Sequence, residues 1–208
     1  MPATAYPQDS DVLQFLIDAG VLATGTASLP TSLTGIASAA SSAWEGDTGY
    51  TPFYVASGTT ATARLFDPPY DKRLFLEGGI VNSTGLIVAI SGSALTLNTN
   101  YYVEPRNNTV RGVPIDTIYF YWTVTGLPQS VSVTGLWGHN SDLPKDAWHA
   151  ILKKAAMLSH EVIQEGAIKK EQQGDVSYEY AVDASTSQLS NWANSYNSTL
   201  AGYRQGRL

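Results

Sequence analysis

The sequence predicts an α+β protein in which a small helical bundle carries an inserted antiparallel β-module. Apolar residues recur at helical spacing before residue 50 and after residue 144, whereas between them the hydrophobic period is two. That middle section holds six short strand-like segments in under 80 residues without intervening helices. Such spacing indicates hairpins and antiparallel pairing, and a small barrel or a sandwich is the natural closure of the module.

Two helices are predicted before the β-module. The first begins at Asp9-Ser10-Asp11, which supplies helix-capping residues and an acidic residue in the first turn. It ends at Gly20. The second spans about 32–46 and has Trp44 on its apolar seam. Its other face is Ser, Ala and Gly, which permits close packing against a neighbouring helix.

The strands of the β-module are predicted from the alternation of apolar and polar residues and from the turn residues between the strands. The breaks are rich in Gly, Pro, Asn and Asp, which favour turns. The strand-like segments are 60–66, 73–76, 80–90, 94–103, 115–125 and 130–137.

A long helix and a further strand follow the β-module. Pro144 suits the first turn of a helix, and the apolar stripe behind it extends to about Lys170. Gly174 breaks this helix. Residues 176–182 then alternate like a single strand with no local partner, and they are followed by a linker over 183–187.

The last helix, over about 188–203, has a clean apolar seam and needs a surface to cover it. A helix of roughly sixteen residues is marginal alone in water. It either folds back on its own core or docks on another protein. Its seam consists of Leu189, Trp192, Ala193, Tyr196, Leu200 and Tyr203. The strand predicted at 176–182 also needs a partner, which is either the β-module of the same chain or another subunit.

These elements divide the chain into four regions. Residues 1–50 hold the N-terminal helices of the bundle, 51–140 the inserted β-module, and 141–173 the long bundle helix. Residues 174–208 form an extended C-terminal arm that ends in a helix. The longest apolar stretch, 86–90, is too short to span a bilayer, so no membrane association is expected.

Composition and charge exclude several function classes. The 208 residues contain no cysteine, which excludes a disulfide framework, a Cys-ligated metal site and a thiol nucleophile. The formal net charge is −6, and residues 1–63 carry five acidic residues without a Lys or Arg. Such a chain is a poor candidate for coating nucleic acid. An acid-only run after the long helix is either a solvated face or a surface that faces a polyanion without holding it.

The sequence carries no motif of metal or catalytic chemistry. His149 and His160 are three helical turns apart, about 16 Å, so they cannot share one metal ion. Neither HExxH, nor a phosphate-binding P-loop, nor a nucleophile elbow occurs. Asp67 and Asp71 flank a Pro-Pro-Tyr turn, and Asx-turn chemistry explains them more simply than Ca²⁺ binding. We therefore expect a protein without enzymatic activity, metal or cofactor.

Four segments carry a resemblance to a known family. Together they span residues 9–180. The first is a helix pair with Asp11-Val-Leu-Gln-Phe-Leu near its start, and the second is Thr62-Ala-Arg-Leu-Phe-Asp67 followed by Arg73-Leu-Phe-Leu76 and Ile80-Val81. The third is Val131-Ser-Val-Thr-Gly-Leu-Trp-Gly138 followed by Leu143-Pro144 and a long helix, and the fourth is Gly174-Asp-Val-Ser-Tyr178. With these segments the chain resembles the head-tail connector proteins of tailed bacteriophages, also called adaptor or head-completion proteins.

The resemblance implies a structural virion protein. Members of that family are helical bundles with a β-rich insertion, and they form a homo-oligomeric ring, usually a dodecamer, beneath the portal. The ring extends the DNA channel, and its tail-facing side receives the next neck or tail protein. By resemblance, the chain would assemble in the host cytoplasm, reside at the head-tail interface of the virion, and let DNA pass without specific binding.

The resemblance also assigns site residues on the C-terminal arm. The arm would dock on the portal through Val176, Tyr178, Tyr180, Leu189, Trp192, Tyr196, Leu200 and Tyr203. The carboxylates of Glu171, Asp175 and Glu179 would line the channel and keep the duplex sliding, because capture of phosphate needs Lys or Arg.

Other functions stay open. One is another neck component, such as a stopper or a tail-completion protein, although the helix-first order favours an adaptor. A second is a glycan-binding β-module that uses Trp122 and Trp137 as stacking platforms. Against it, Trp44, Trp148 and Trp192 lie on apolar helix seams, where core packing explains them. A hydrolase with an unmarked active site has no support in the sequence.

Overall fold

The computed structural model describes residues 5–166, 171–173, 176–178 and 186–204. The chain forms two compact units. The helical unit combines the residues up to Asp47 with Pro144–Arg204, and the β-unit comprises Thr48–Leu143. The chain combines helices with antiparallel sheets, so the predicted α+β class is confirmed.

The helices and strands have the following bounds. In chain order they are α1 (Asp9–Asp18), α2 (Ile36–Thr48), β1 (Thr62–Phe66), β2 (Arg73–Ile80), β3 (Ile87–Ile90), β4 (Ser93–Ala94), β5 (Tyr101–Glu104), α3 (Asn108–Arg111), β6 (Ile115–Phe120), β7 (Val131–Gly135), α4 (Lys145–Gly166), β8 (Glu171–Gln173), β9 (Val176–Tyr178) and α5 (Thr186–Ala201).

The start of α1 also fixes the start of α2. The Asp11 carboxylate accepts a hydrogen bond from the Gln8 backbone N–H at 2.7 Å, which closes a capping box on α1. The Asp9 carboxylate instead caps the other helix, since it accepts the backbone N–H groups of Gly35 at 2.8 Å and Ala37 at 3.2 Å. The predicted helix over 32–46 is accordingly split. A short 3-10 turn at Thr31–Leu33 precedes Gly35, whose φ is +82°, and α2 follows.

The helical unit buries the apolar stripes of its helices against each other. α4 packs against both α1 and α5 and is described as far as Gly166, whereas its predicted end near Lys170 lies outside the described residues. The buried apolar side chains of the unit are Val12, Leu16, Leu33, Ile36, Ala37, Ala40, Trp44, Ala147, Ala150, Ile151, Leu152, Ala155, Ala156, Trp192, Tyr196 and Leu200.

The β-unit is a sandwich of two antiparallel sheets. One sheet has four strands in the order β1-β7-β3-β4, and the other has three in the order β2-β6-β5. Side chains from both sheets form one core: Leu74, Leu76, Ile80, Val88, Tyr101, Val103, Ile115, Ile118, Phe120, Val124, Val131, Val133 and Trp137. Of the two predicted closures, the described residues form the sandwich, and no closed barrel is found among them.

The sandwich differs from the predicted strands at two places. The segment 80–90 is not one strand, because the chain turns after Ile80 and pairs again only at Ile87–Ile90. Gly78 and Gly79 have positive φ angles at the irregularity in β2. The segment 94–103 is likewise interrupted between β4 and β5.

The strand expected at 176–182 has a local partner, so the prediction of an unpaired strand is wrong. β9 pairs with β8 in an antiparallel hairpin that sets Gln173 opposite Val176 and Glu171 opposite Tyr178. The sequence does not signal β8, because Glu-Gln-Gln has no apolar alternation, and a backbone ladder needs none.

Candidate interaction surfaces

The C-terminal helix α5 lies on the helical unit of its own chain. The Trp192 ring packs on Phe15 with the ring centroids 5.7 Å apart. Trp44 of α2 meets Tyr196 at 5.7 Å and Tyr203 at 5.8 Å, both edge to face. Of the two alternatives for this helix, the structure shows the first, in which the seam folds back on its own core.

Two tyrosine–aspartate hydrogen bonds fasten α5 at its C-terminal half. The Tyr196 hydroxyl donates to Asp47 Oδ2 at 2.7 Å, and the Tyr203 hydroxyl donates to the Asp146 carboxylate at 2.9 and 3.0 Å. Burial, and then the bond to the carboxylate, raise the pKa of both tyrosines well above the ordinary value. Both hydroxyls therefore remain protonated donors throughout the neutral pH range.

Removing one of these hydroxyls should weaken the attachment of α5 measurably. We expect Tyr196→Phe to lower the free energy of unfolding of the helical unit by about 1 kcal/mol, because the ring stays and only one hydrogen bond is lost. Chemical denaturation measures this. Tyr70→Phe in the β-unit, where the side chain is 99% exposed, is the control for loss of a tyrosine hydroxyl. Equal amide exchange in α5 for wild type and Tyr196→Phe would contradict the fastening role.

The residues assigned to portal docking fall into three groups. Trp192, Tyr196 and Leu200 are buried, whereas Leu189 and Tyr203 are half-buried. Val176 and Tyr178 lie on β9, and Tyr180 lies outside the described residues. The exposed side of α5 is polar and consists of Ser190, Asn191, Asn194, Asn197 and Ser198.

The residues assigned to the channel are at and around the hairpin. Glu171 lies on β8. Asp175 and Glu179 lie outside the described residues. The channel assignment therefore stays a prediction.

Among the described residues, the large exposed hydrophobic side chains all lie in the β-unit. Within the described part of the chain, every exposed large hydrophobic residue lies between residues 65 and 127: Leu65, Tyr70, Phe75, Ile87, Val110, Tyr121, Trp122 and Leu127. Clustered exposed apolar side chains mark interaction sites more often than scattered ones do. The β-unit is thus the candidate contact region of the chain, although the portal-docking and channel-lining residues were all predicted on the C-terminal arm.

One outer sheet face carries no charge. The register of β1, β7 and β3 sets Leu65 beside Ser132 and Ala89, and Ala63 beside Thr134 and Ile87. Leu65 is 59% exposed and Ile87 is 54% exposed. These six side chains point away from the shared core, and we call them the neutral face.

The outer face of the other sheet is a row of tyrosine and arginine. Arg73, Tyr119 and Tyr102 are neighbours across β2, β6 and β5. The two tyrosine rings stack 4.8 Å apart at 30°. The Arg106 guanidinium lies 4.2 Å from the centroid of Tyr102, and that of Arg73 lies 5.9 Å from Tyr119. With Phe75, which is 48% exposed, these residues form the tyrosine–arginine face.

The two tryptophans proposed as stacking platforms differ in exposure. Trp137 is buried, its indole N–H donates to the Thr62 carbonyl at 2.8 Å, and the Arg64 guanidinium lies 4.1 Å from its ring. A sugar therefore has no access to Trp137. Trp122 is 39% exposed and meets Phe120 edge to face.

His139 belongs to the core of the β-unit. His139 stacks on Phe53 with the centroids 4.6 Å apart and meets the Tyr50 ring edge to face at 4.8 Å. Burial lowers the pKa of His139 to about 4, so its imidazole is neutral at physiological pH. Burial and the nearby Asp116 charge raise the pKa of Tyr50 to about 12.

The described residues contain neither a metal-binding cluster nor a membrane-spanning helix. No group of three or more His, Cys, Asp or Glu side chains there is arranged to hold a metal ion. No helix in that part of the chain is both long and apolar enough to cross a membrane.

Comparison with known proteins finds structural neighbours, among them two chains from particle necks. No protein-family model and no curated protein matches the chain. The chain is similar to a chain in the neck of an empty GTA particle computed with C6 symmetry, at 15% identity and a TM-score of 0.49. It is also similar to a chain in the neck of a native GTA particle computed with C12 symmetry, at 12% identity and a TM-score of 0.46. Each match covers 100% of this chain and 96% of the other.

Proposed function

We propose that the chain is a structural subunit of the neck of a phage-like particle, an adaptor that forms a ring beneath the portal and joins the head to the tail. The observation that carries the proposal is where the four segments resembling the connector family lie. They coincide with α1 and α2, with β1 and β2, with β7 and α4, and with β9. These elements define both units of the chain.

The surface of the molecule supports an assembly role. An assembly protein needs apolar area that its own core leaves uncovered, and the exposed large hydrophobic side chains of the β-unit supply it. In this role the chain acts without catalysis, metal or cofactor. The carboxylates of Glu171, Asp175 and Glu179 would face the DNA channel and repel its backbone.

Contact with the portal involves the polar side of α5 in this proposal. The apolar seam of α5 is already buried, so a portal that bound Trp192 or Tyr196 directly would first have to pull the helix off its own core. The exposed Ser and Asn side chains are accessible as the helix stands, and they can hydrogen-bond across a wet interface.

Light scattering with the portal protein from the same genome tests the proposal. We expect a large complex in the mixture and a much smaller particle for either protein alone. Asn194→Arg, on the exposed side of α5, should weaken the complex about tenfold or more by adding a bulky charge to the contact. Ser83→Arg, exposed in the β-unit, makes the same charge change as a control and should leave portal binding intact.

Each other result has a definite reading. If neither the wild type nor the control binds portal, the adaptor proposal is wrong. In that case another neck component, such as a stopper, is tested next by mixing the chain with the other neck proteins. If both variants bind like wild type, the exposed side of α5 is not the portal contact.

A further inference from the structure

We infer that the two outer faces of the β-sandwich are the two halves of one contact between copies of this chain. The neutral face of one copy packs against the tyrosine–arginine face of the next. The inference rests on the proposed function, in which copies form a ring, and it assigns the surfaces that join them. The inference is supported by the positions of the exposed side chains. Leu65 and Ile87 lie on one side of the shared core, and Phe75 and Tyr119 lie on the other.

The placement of the two faces favours a head-to-tail contact. Both sheets contribute to a single core, so their outer faces point in opposite directions. A contact between two different faces gives each copy one neighbour on either side, and such a contact closes into a ring when its rotation closes. A contact between identical faces would stop at a dimer and would leave the second face uncovered.

The neutral face is suited to burial. Its members are Ala63, Leu65, Ile87, Ala89, Ser132 and Thr134, and none carries a charge. Covering them removes apolar area from water without removing a charge on this half of the contact; the charges that the contact covers, those of Arg73 and Arg106, belong to the other half. The two hydroxyls in the middle of the face can still form hydrogen bonds with a partner.

The tyrosine–arginine face is suited to the opposite half. Tyr102 is held between Tyr119 and Arg106, so these side chains are already ordered and lose little freedom on binding. The Tyr102 hydroxyl donates a hydrogen bond to the Glu104 carboxylate on the same face, so the row presents ring edges, the Tyr119 hydroxyl and guanidinium N–H donors. Tyrosine and arginine are enriched at protein contacts for these reasons. The Ser132 and Thr134 hydroxyls of the facing copy are acceptors for those donors.

Site-directed cross-linking tests the pairing, and the absence of native cysteine gives it a clean background. Ile87→Cys and Phe75→Cys are prepared as separate full-length chains and treated with a flexible bis-maleimide. We expect the mixture to form at least about tenfold more covalent dimer than either variant alone, because a docked pair raises the local thiol concentration. A chain with both substitutions should give a ladder of higher oligomers, whereas the mixture of single variants should stop at dimer.

A matched pair of exposed hydrophobic positions outside both faces controls for random collision. Val110→Cys mixed with Tyr70→Cys should give only background dimer, although these side chains are 89% and 99% exposed. The measurement is made on the free chain at high concentration and repeated with portal present. If Ile87→Cys alone cross-links as well as the mixture does, like faces pair and the inference is wrong. If the mixture never exceeds the control pair in either condition, the inference is also wrong.

The outcome is separable from that of the proposed function. If the chain gives the ladder of cross-linked oligomers but does not bind portal, the face assignment is supported and the adaptor role is wrong. A chain that binds portal but gives no cross-linked dimer above the control keeps the adaptor role and loses the face assignment.

Discussion

Replacing Trp44 by alanine is expected to destabilise the helical unit by roughly 3–5 kcal/mol, the usual cost of truncating a large aromatic side chain in a core. Trp44 is fully buried, and its ring lies against Tyr196 of α5 and against Tyr203, two residues beyond the end of that helix. The cavity would therefore open between α2 and α5. We expect a lower denaturation midpoint and faster amide exchange in α5 than in the strands of the β-unit.

Trp148→Ala is the matched control for this substitution. It removes the same side chain from α4, but Trp148 is only half-buried, so less area and less packing are lost. We expect a clearly smaller loss of stability than for Trp44→Ala. Similar losses at the two positions would show that Trp44 is not the residue that holds α5 in place.

Acidification is expected to destabilise the β-unit through His139. Its pKa is about 4 in the folded chain, whereas an unperturbed histidine has a pKa near 6.5. Between these values the unfolded chain binds more protons than the folded one, so stability rises with pH. The contribution of His139 is therefore fully present above about pH 6.5 and is lost as the pH falls toward 4, by roughly 3 kcal/mol in all.

His139→Phe tests this dependence. Phenylalanine can keep the stacking on Phe53 and does not titrate. The variant has its own baseline cost, which is read at about pH 7.5, where histidine is neutral. Below about pH 6.5 the stability of wild type should fall more steeply than that of the variant, as followed by amide exchange in the β-unit. Parallel curves for the two chains would rule out His139 as the titrating group.

The period of the hydrophobic pattern was enough to predict the fold class, but the pairing of strands was beyond its reach. The switch from helical spacing to alternation marks the β-unit, because burial of one face imposes it. Strand neighbours are a different matter. β1 lies beside β7, and Thr62 pairs with Gly135, so the pairing joins residues that no local pattern connects. The break before α2 depends on the positive φ of Gly35 and on Asp9 reaching across from another helix.

The candidate surfaces were predicted less completely for a similar reason. The apolar seam of α5 is visible in the sequence, and its members Trp192, Tyr196 and Leu200 are buried. A seam shows only that a helix needs a surface, not which molecule supplies it. The tyrosine–arginine face escaped prediction because its residues come from three strands, and only the register brings Tyr102 beside Tyr119.

The division of the chain into units sets an order for its biosynthesis. In the described part of the chain the β-unit is one continuous segment, Thr48–Leu143, so all of its strands are synthesised before α5. The helical unit is completed only by α5, whose last residue is Ala201. Until then the side of Trp44 that α5 covers is bare. A polypeptide released early therefore displays a finished sandwich beside an incomplete bundle, a form that cellular proteases can recognise and remove before it joins any assembly.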